Sequence, residues 1–197
     1  MKKLIMALGV VALAATVQAA TFRWYQGSPV SPSDDATGQI SSGTLYLFAG
    51  SGQSDLLTGY VAAIAASTSA ADYLTGASGY VGSGALSSST KFASTTVAGA
   101  SVTSGRVVWS ETTTDTSRSY FQVLVDGDNI YISDTITTGV AGTGNTNFAF
   151  ANNESRSAIK QASDGYAGGG WYAVPEPTSG LLMLLGMAGL ALKRKRA

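Results

Sequence analysis

The chain predicts a mainly β fold: a compact antiparallel sheet or sandwich with one or two short helices, plus an N-terminal signal peptide and a C-terminal hydrophobic helix. Three observations lead there. Runs of β-branched and aromatic residues, bounded by Gly, Ser, Asn and Asp, recur along the middle of the chain. One stretch repeats its apolar residues at helical spacing. Both ends of the 197 residues carry apolar, uncharged segments with basic residues beside them.

Taken in order, Lys2 and Lys3 form a positive n-region, Leu4 to Ala15 an apolar h-region, and Val17-Gln18-Ala19 a small-residue cleavage site. Cleavage after Ala19 is expected, with Ala20 as the second choice. Thr21 to Gln26 has the aromatic content of a first strand, followed by a polar loop with Pro29, Pro32, Asp34 and Asp35. Thr44 to Ala49 (TLYLFA) is the clearest early strand, ended by Gly50-Ser51-Gly52. Ser54 is the expected N-cap of a helix with Asp55 in its first turn. Leu56, Leu57, Tyr60, Val61, Ile64 and Ala65 carry its periodicity. A shorter helical piece is expected around Ala70 to Leu74.

Gly76 to Gly105 is rich in Gly, Ser, Ala and Thr, and reads as irregular β structure or a loop. Beyond it, Gly105 to Thr112, Ser119 to Asp126 and Asn129 to Asp134 read as strands, and Asp126-Gly127 between the last two signals a hairpin. Phe121, Val123 and Val125 would share one face, with Tyr120, Gln122 and Leu124 on the other. A loop from Thr137 to Asn147 leads to Phe148-Ala149-Phe150. Glu154 to Ala162 reads as a short helix, and Trp171 to Val174 as a closing strand.

The tail is the most informative segment. Val174-Pro175-Glu176-Pro177 cannot continue a helix from upstream, because proline removes an N–H and restricts the residue before it. The run from Leu181 to Leu192 (Leu181, Leu182, Met183, Leu184, Leu185, Leu190 and Leu192 its large members) is uncharged and dominated by good helix formers. Lys193, Arg194, Lys195 and Arg196 would stop translocation on the cytoplasmic side. Twelve residues at about 1.5 Å each span roughly 18 Å, short of a hydrocarbon core of about 30 Å. A segment held briefly and then processed fits that length better than a permanent anchor.

In order and spacing this tail resembles the PEP-CTERM sorting signal of exported bacterial proteins. The resemblance covers the motif Val174 to Pro177, the hydrophobic part and the basic end, about a tenth of the chain. It implies recognition by an exosortase-like membrane sorting enzyme, with signal peptidase and the export machinery acting at the other end. The chain would be inserted in the inner membrane before processing, then delivered to the cell envelope or outside the cell. Three segments follow: a signal peptide (1–19), an exported β-rich domain (20–173) and the sorting signal (174–197).

With both ends set aside, the apparent neutrality disappears. Six of the twelve basic residues belong to the ends, and the body sets eleven acids against Arg23, Lys91, Arg106, Arg118, Arg156 and Lys160. An acidic body disfavours nucleic acid and anionic lipid headgroups, and is compatible with divalent cations or with neutral polysaccharide, which leaves envelope polysaccharide as a candidate partner. With neither histidine nor cysteine, Ser-His-Asp and Cys-His relays and imidazole or thiolate zinc sites are excluded. No cofactor, catalytic residue or metal site is assigned.

Three weaker constellations remain. Asp126, Asp128, Asn129 and Asp134 offer oxygen ligands for Ca²⁺, but Asp and Gly at a hairpin tip are accounted for by turn geometry. Glu111 and Asp115 could act as glycosidase-like carboxylates. Trp24, Tyr25, Tyr46, Trp109, Tyr120, Tyr131, Trp171 and Tyr172 could form a sugar-stacking platform, although strand aromatics are more often core. The favoured reading is a non-enzymatic exported structural or surface protein. A carbohydrate-binding or adhesion module is the alternative, and a carboxylate-only hydrolase comes third.

Overall fold

A computed structural model of the chain describes residues 18–27, 29–31, 38–127, 129–140, 145–149, 157–161 and 171–174. Its strands are β1 (Gln18–Tyr25), β2 (Val30–Ser31), β3 (Thr44–Ala49), β4 (Tyr80–Ser88), β5 (Lys91–Thr95), β6 (Ser101–Thr103) and β7 (Arg106–Thr113). Then come β8 (Ser117–Asp126), β9 (Asn129–Ser133), β10 (Ile136–Gly139), β11 (Asn145–Ala149), β12 (Ser157–Gln161) and β13 (Trp171–Val174). Two helices, α1 (Gln53–Ala65) and α2 (Ala70–Gly76), lie between β3 and β4.

The strands form two sheets. The smaller has the order β11-β1-β7-β6; the larger runs β2-β12-β13-β9-β8-β3-β4-β5, with β10 also paired to β8. Pairing is mostly antiparallel, and the parallel pairs are β1 with β11, β12 with β13 and β12 with β2. Between the sheets lies one core, with Phe22, Trp24, Leu45, Leu47, Phe92, Val107, Trp109, Tyr120, Leu124 and Trp171 among its members. On the other face of the larger sheet, Phe48, Phe121, Val123, Ile130 and Ile132 pack with Leu56 and Tyr60 of α1 and Leu74 of α2. The expected sandwich with helices packed on it is therefore the observed one. The alternation expected in β8 holds as well, because its two faces feed these two cores.

Differences from expectation have local causes. Gly52, not Ser54, is the N-cap of α1, and no side chain caps it. The helix starts at Gln53, which is buried with its amide against Thr135 in the loop after β9. The second helix has a side-chain cap, since Ser69 Oγ accepts from Asp72 N at 3.1 Å.

Of the two readings of the Gly76 to Gly105 stretch, irregular β structure is the observed one, with register shifts in the β3–β4 and β4–β5 pairs. The stretch supplies β4, β5 and β6. Its glycines let other residues lie flat on the sheet. A Cβ on Gly82 would stand 2.6 Å from Val97 Cα, and one on Gly84 would stand 2.5 Å from the Phe92 ring. Val97 and Phe92 are both core residues. The expected helix at Glu154 to Ala162 is also corrected: residues 157–161 form β12, paired in parallel with β2 and β13. Strand pairing overrides local helical preference there.

The expected Thr137 to Asn147 loop contains β10 and the start of β11. β10 continues β9 along the same partner after a shift of register. Between the pairs Val123↔Ile132 and Tyr120↔Ile136, two residues of β8 face three. The Ser133 hydroxyl fills this bulge by accepting from Gln122 N at 2.9 Å. At the predicted hairpin, Asp126 pairs with Asn129, and Gly127 has φ of 59°, the positive value that primed two-residue turns require.

Gln122 is fully buried between the sheets. It accepts from Trp24 Nε1 at 3.0 Å and donates to Gln26 Oε1 at 2.7 Å, so a polar side chain of the larger sheet is bonded to two residues of the β1 region. Two stability predictions follow from close approach and from this network. Gly82→Ala should lower unfolding free energy by about 1–3 kcal/mol through overpacking. Gln122→Leu should cost about 1–3 kcal/mol by stranding the Trp24 indole N–H. Denaturant unfolding of each variant beside the parent measures both.

Candidate functional site

Three places expected to carry function can be located. The first is the start of the C-terminal tail. β13 lies between β12 and β9, and its residues Trp171 and Val174 stand opposite Ser133 and Ile130. Trp171 is buried in the inter-sheet core. Because β13 runs antiparallel to β9, its C-terminal end lies at the end of β9 that follows the Asp126–Asn129 turn. Of the sorting residues, Val174 is the last residue of this strand. Pro175, Glu176, Pro177, the run from Leu181 to Leu192 and the basic end lie outside the described residues.

At the other end, Val17 lies outside the described residues, while Ala19 is an exposed residue of β1. Gln18 and Ala19 stand opposite Thr113 and Thr112, so β1 begins two residues before the expected cut. Ala20, the residue after that cut, is fully buried opposite Glu111. Among the described residues, no helix is long and apolar enough to cross a membrane.

The second place is the carboxylate pair. Glu111 and Asp115 do converge, but on a cation. Arg118 Nε donates to Asp115 Oδ2 at 2.9 Å, its Nη1 pairs with Glu111, and its Nη2 donates to Thr113 Oγ1 at 2.9 Å. The guanidinium also lies 5.3 Å from the centre of the Phe22 ring. Both carboxylates are taken up by one arginine, whereas a glycosidase pair flanks the bond to be cut with the substrate between them. Arg118 further reaches the buried Tyr120 hydroxyl, whose pKa is raised by burial and pulled back in part by that arginine. Burial also raises Tyr46, Tyr73 and Tyr131, so all four phenols stay protonated at neutral pH.

The third place is the aromatic set. Trp24, Trp109, Tyr120 and Trp171 are interior, and Tyr46 is buried on the helix side. Ring pairs such as Phe22 with Trp109 at 5.4 Å and Trp24 with Phe92 at 4.5 Å fill the space between the sheets. Five of the eight aromatics expected to form a sugar-stacking platform are therefore core residues, and the Tyr172 side chain lies outside the described residues. Tyr25 and Tyr131 remain half-buried.

The proposed Ca²⁺ ligands also separate. Asp126 is at one end of β9 and Asp134 follows the other, a strand length of roughly 16 Å. Asp128 lies outside the described residues. Among the described residues, no three acids, histidines or cysteines are grouped to hold a metal. Sequence reasoning missed the arginine that gathers Glu111 and Asp115, although its position three residues after one acid and seven after the other was a signal. Asp134, one of the expected Ca²⁺ ligands, has both carboxylate oxygens shielded, with no hydrogen-bond partner among the described residues.

The cost of disturbing the arginine cluster should follow burial rather than charge. Glu111→Gln, at a half-buried position, and Asp115→Asn, at an exposed one, should each change stability by less than about 1 kcal/mol. Arg118→Ala should cost about 1–3 kcal/mol, because it strips the buried Tyr120 hydroxyl of its partner. Thermal unfolding of the three variants tests the ranking.

No curated protein and no solved structure matches the chain. Residues 173–196 match the family model of the PEP-CTERM protein-sorting motif, so the chain carries the tail of exported, membrane-passing proteins that exosortase recognises.

Proposed function

We propose that this is a cell-envelope or extracellular-matrix protein whose sandwich domain is a structural or surface module without catalytic apparatus. Signal peptidase removes the leader, and the chain is held in the inner membrane by its hydrophobic tail until exosortase acts on the motif at Val174 to Pro177. The observation that supports this most directly is the sorting match at residues 173–196, which begins inside the last strand, β13. Folded body and sorting signal are thus contiguous, with only Pro175 to Gly180 between the sheet and the apolar run. Six extended residues reach at most about 20 Å, so the sandwich sits close to the membrane before release.

The absence of histidine and cysteine, together with the pairing of Glu111 and Asp115 by Arg118, supports a non-enzymatic role over a carboxylate hydrolase. The adhesion reading can no longer rest on stacked tryptophans, since those are interior.

Intact mass spectrometry of the protein recovered from its native envelope tests the proposal. The expected species begins at Ala20 and ends between Val174 and Thr178, which keeps every pair of β13. A mass that retains Lys193 to Arg196 would establish a permanent anchor instead.

A further inference from the structure

The outer face of the smaller sheet carries a charge opposite to that of the body. On β1, Thr21, Arg23 and Tyr25 alternate with the buried Ala20, Phe22 and Trp24, and so point away from the core. On β7, Arg106, Val108 and Ser110 do the same against the buried Val107 and Trp109, and Ser101 and Thr103 continue the face on β6. Register places Thr21 opposite Ser110 and Arg23 opposite Val108, with Ser101 beside Val108 and Thr103 beside Arg106. Arg23 and Arg106 are therefore diagonal neighbours, about 7–8 Å apart at the backbone. Arg106 lies 4.8 Å from the centre of the Tyr25 ring, and the Thr21 and Ser110 hydroxyls are 3.2 Å apart.

No carboxylate occupies an outward position on β1, β6 or β7 among these residues. Ion pairs among the described residues involve Arg118 alone, so neither Arg23 nor Arg106 is neutralised by one. A third cation is close: the stem of Lys91 lies against Gly105, the residue before Arg106, where an added Cβ would come within 2.9 Å of Lys91 Cγ. Three of the six cations in a body acidic by five are gathered at this corner.

We infer that this face binds an acidic, carboxylate-bearing polysaccharide, with Arg23 and Arg106 pairing its carboxylates. A flat sheet face suits an extended polymer better than a small molecule. Its hydroxyls match sugar hydroxyls, the arginines match carboxylates through paired N–H donors, and the arginine-backed Tyr25 offers a ring for stacking. A lipid surface fits less well. Outward positions carry no large aliphatic or tryptophan side chain to insert into one. The inference rests on the exported reading for its setting, and its test does not.

The full chain in detergent, passed over immobilised polygalacturonate at about 20 mM salt, should be retained, and about 0.5 M salt should release it. Arg23→Gln with Arg106→Gln should weaken retention by about tenfold or more, the loss of one to two charge-assisted hydrogen bonds, while Lys160→Gln on β12 should not. Far-UV circular dichroism checks the fold of the double variant, and the two single variants carry the test if it does not fold. Equal retention on neutral dextran, no change in the arginine variants, or displacement by phosphatidylglycerol bicelles at lower charge concentration than by free polygalacturonate would each overturn the inference. The last outcome would assign the face to lipid. A correctly processed protein that fails to bind sinks this inference alone, whereas one that binds but keeps both ends sinks the sorting proposal alone.

Discussion

The middle of strand β8, Tyr120 to Leu124, has no solvent face, and the rest of the molecule is arranged around that constraint. Tyr120 and Leu124 enter the core between the sheets, while Phe121 and Val123 enter the core beneath the helices. A strand with two apolar faces needs a layer on each, so the smaller sheet and the α1–α2 pair are both required. The one fully buried polar side chain of β8, Gln122, meets Trp24 and Gln26 of the β1 segment. Hydrophobic burial would tolerate several relative placements of two sheets; a directional bond from each side tolerates few.

The lack of disulfides makes this packing more consequential. An exported chain without cysteine has neither a covalent staple nor a metal clip built on thiolates. Its cohesion lies in aromatic contacts across the sandwich, such as Phe22 on Trp109, and on the helix side, such as Phe48 stacked on Phe121 at 5.1 Å. Small residues make the close approaches possible, with Gly82 under Val97 and Gly84 under Phe92. The low-complexity composition thus does structural work that a count of large apolar residues overlooks.

What could be read from the sequence divides along physical lines. Thr44 to Ala49 and the Asp126–Gly127 hairpin were legible because their signals are local: side-chain alternation and turn chemistry. β4 was not, since its glycines gain meaning only against Val97 and Phe92, residues on other segments. β12 was read as a helix because residues 157–161 favour that locally, and only pairing with β2 and β13 makes them a strand. The sorting motif was legible, because such a signal is read directly from the chain, and the match at residues 173–196 agrees with it. The arginine cluster was half legible: both acids were singled out, and the cation that holds them was not.

The interior position of β13 has a mechanical consequence. The strand leading to the tail is flanked on both sides, by β9 and by β12, with Trp171 locked in the core. A pull along the tail therefore loads both ladders lengthwise, so their bonds must yield together rather than unzip one at a time from a free edge. A body drawn against a bilayer by its own C-terminus would resist extraction as a unit, its sheet staying closed under tension.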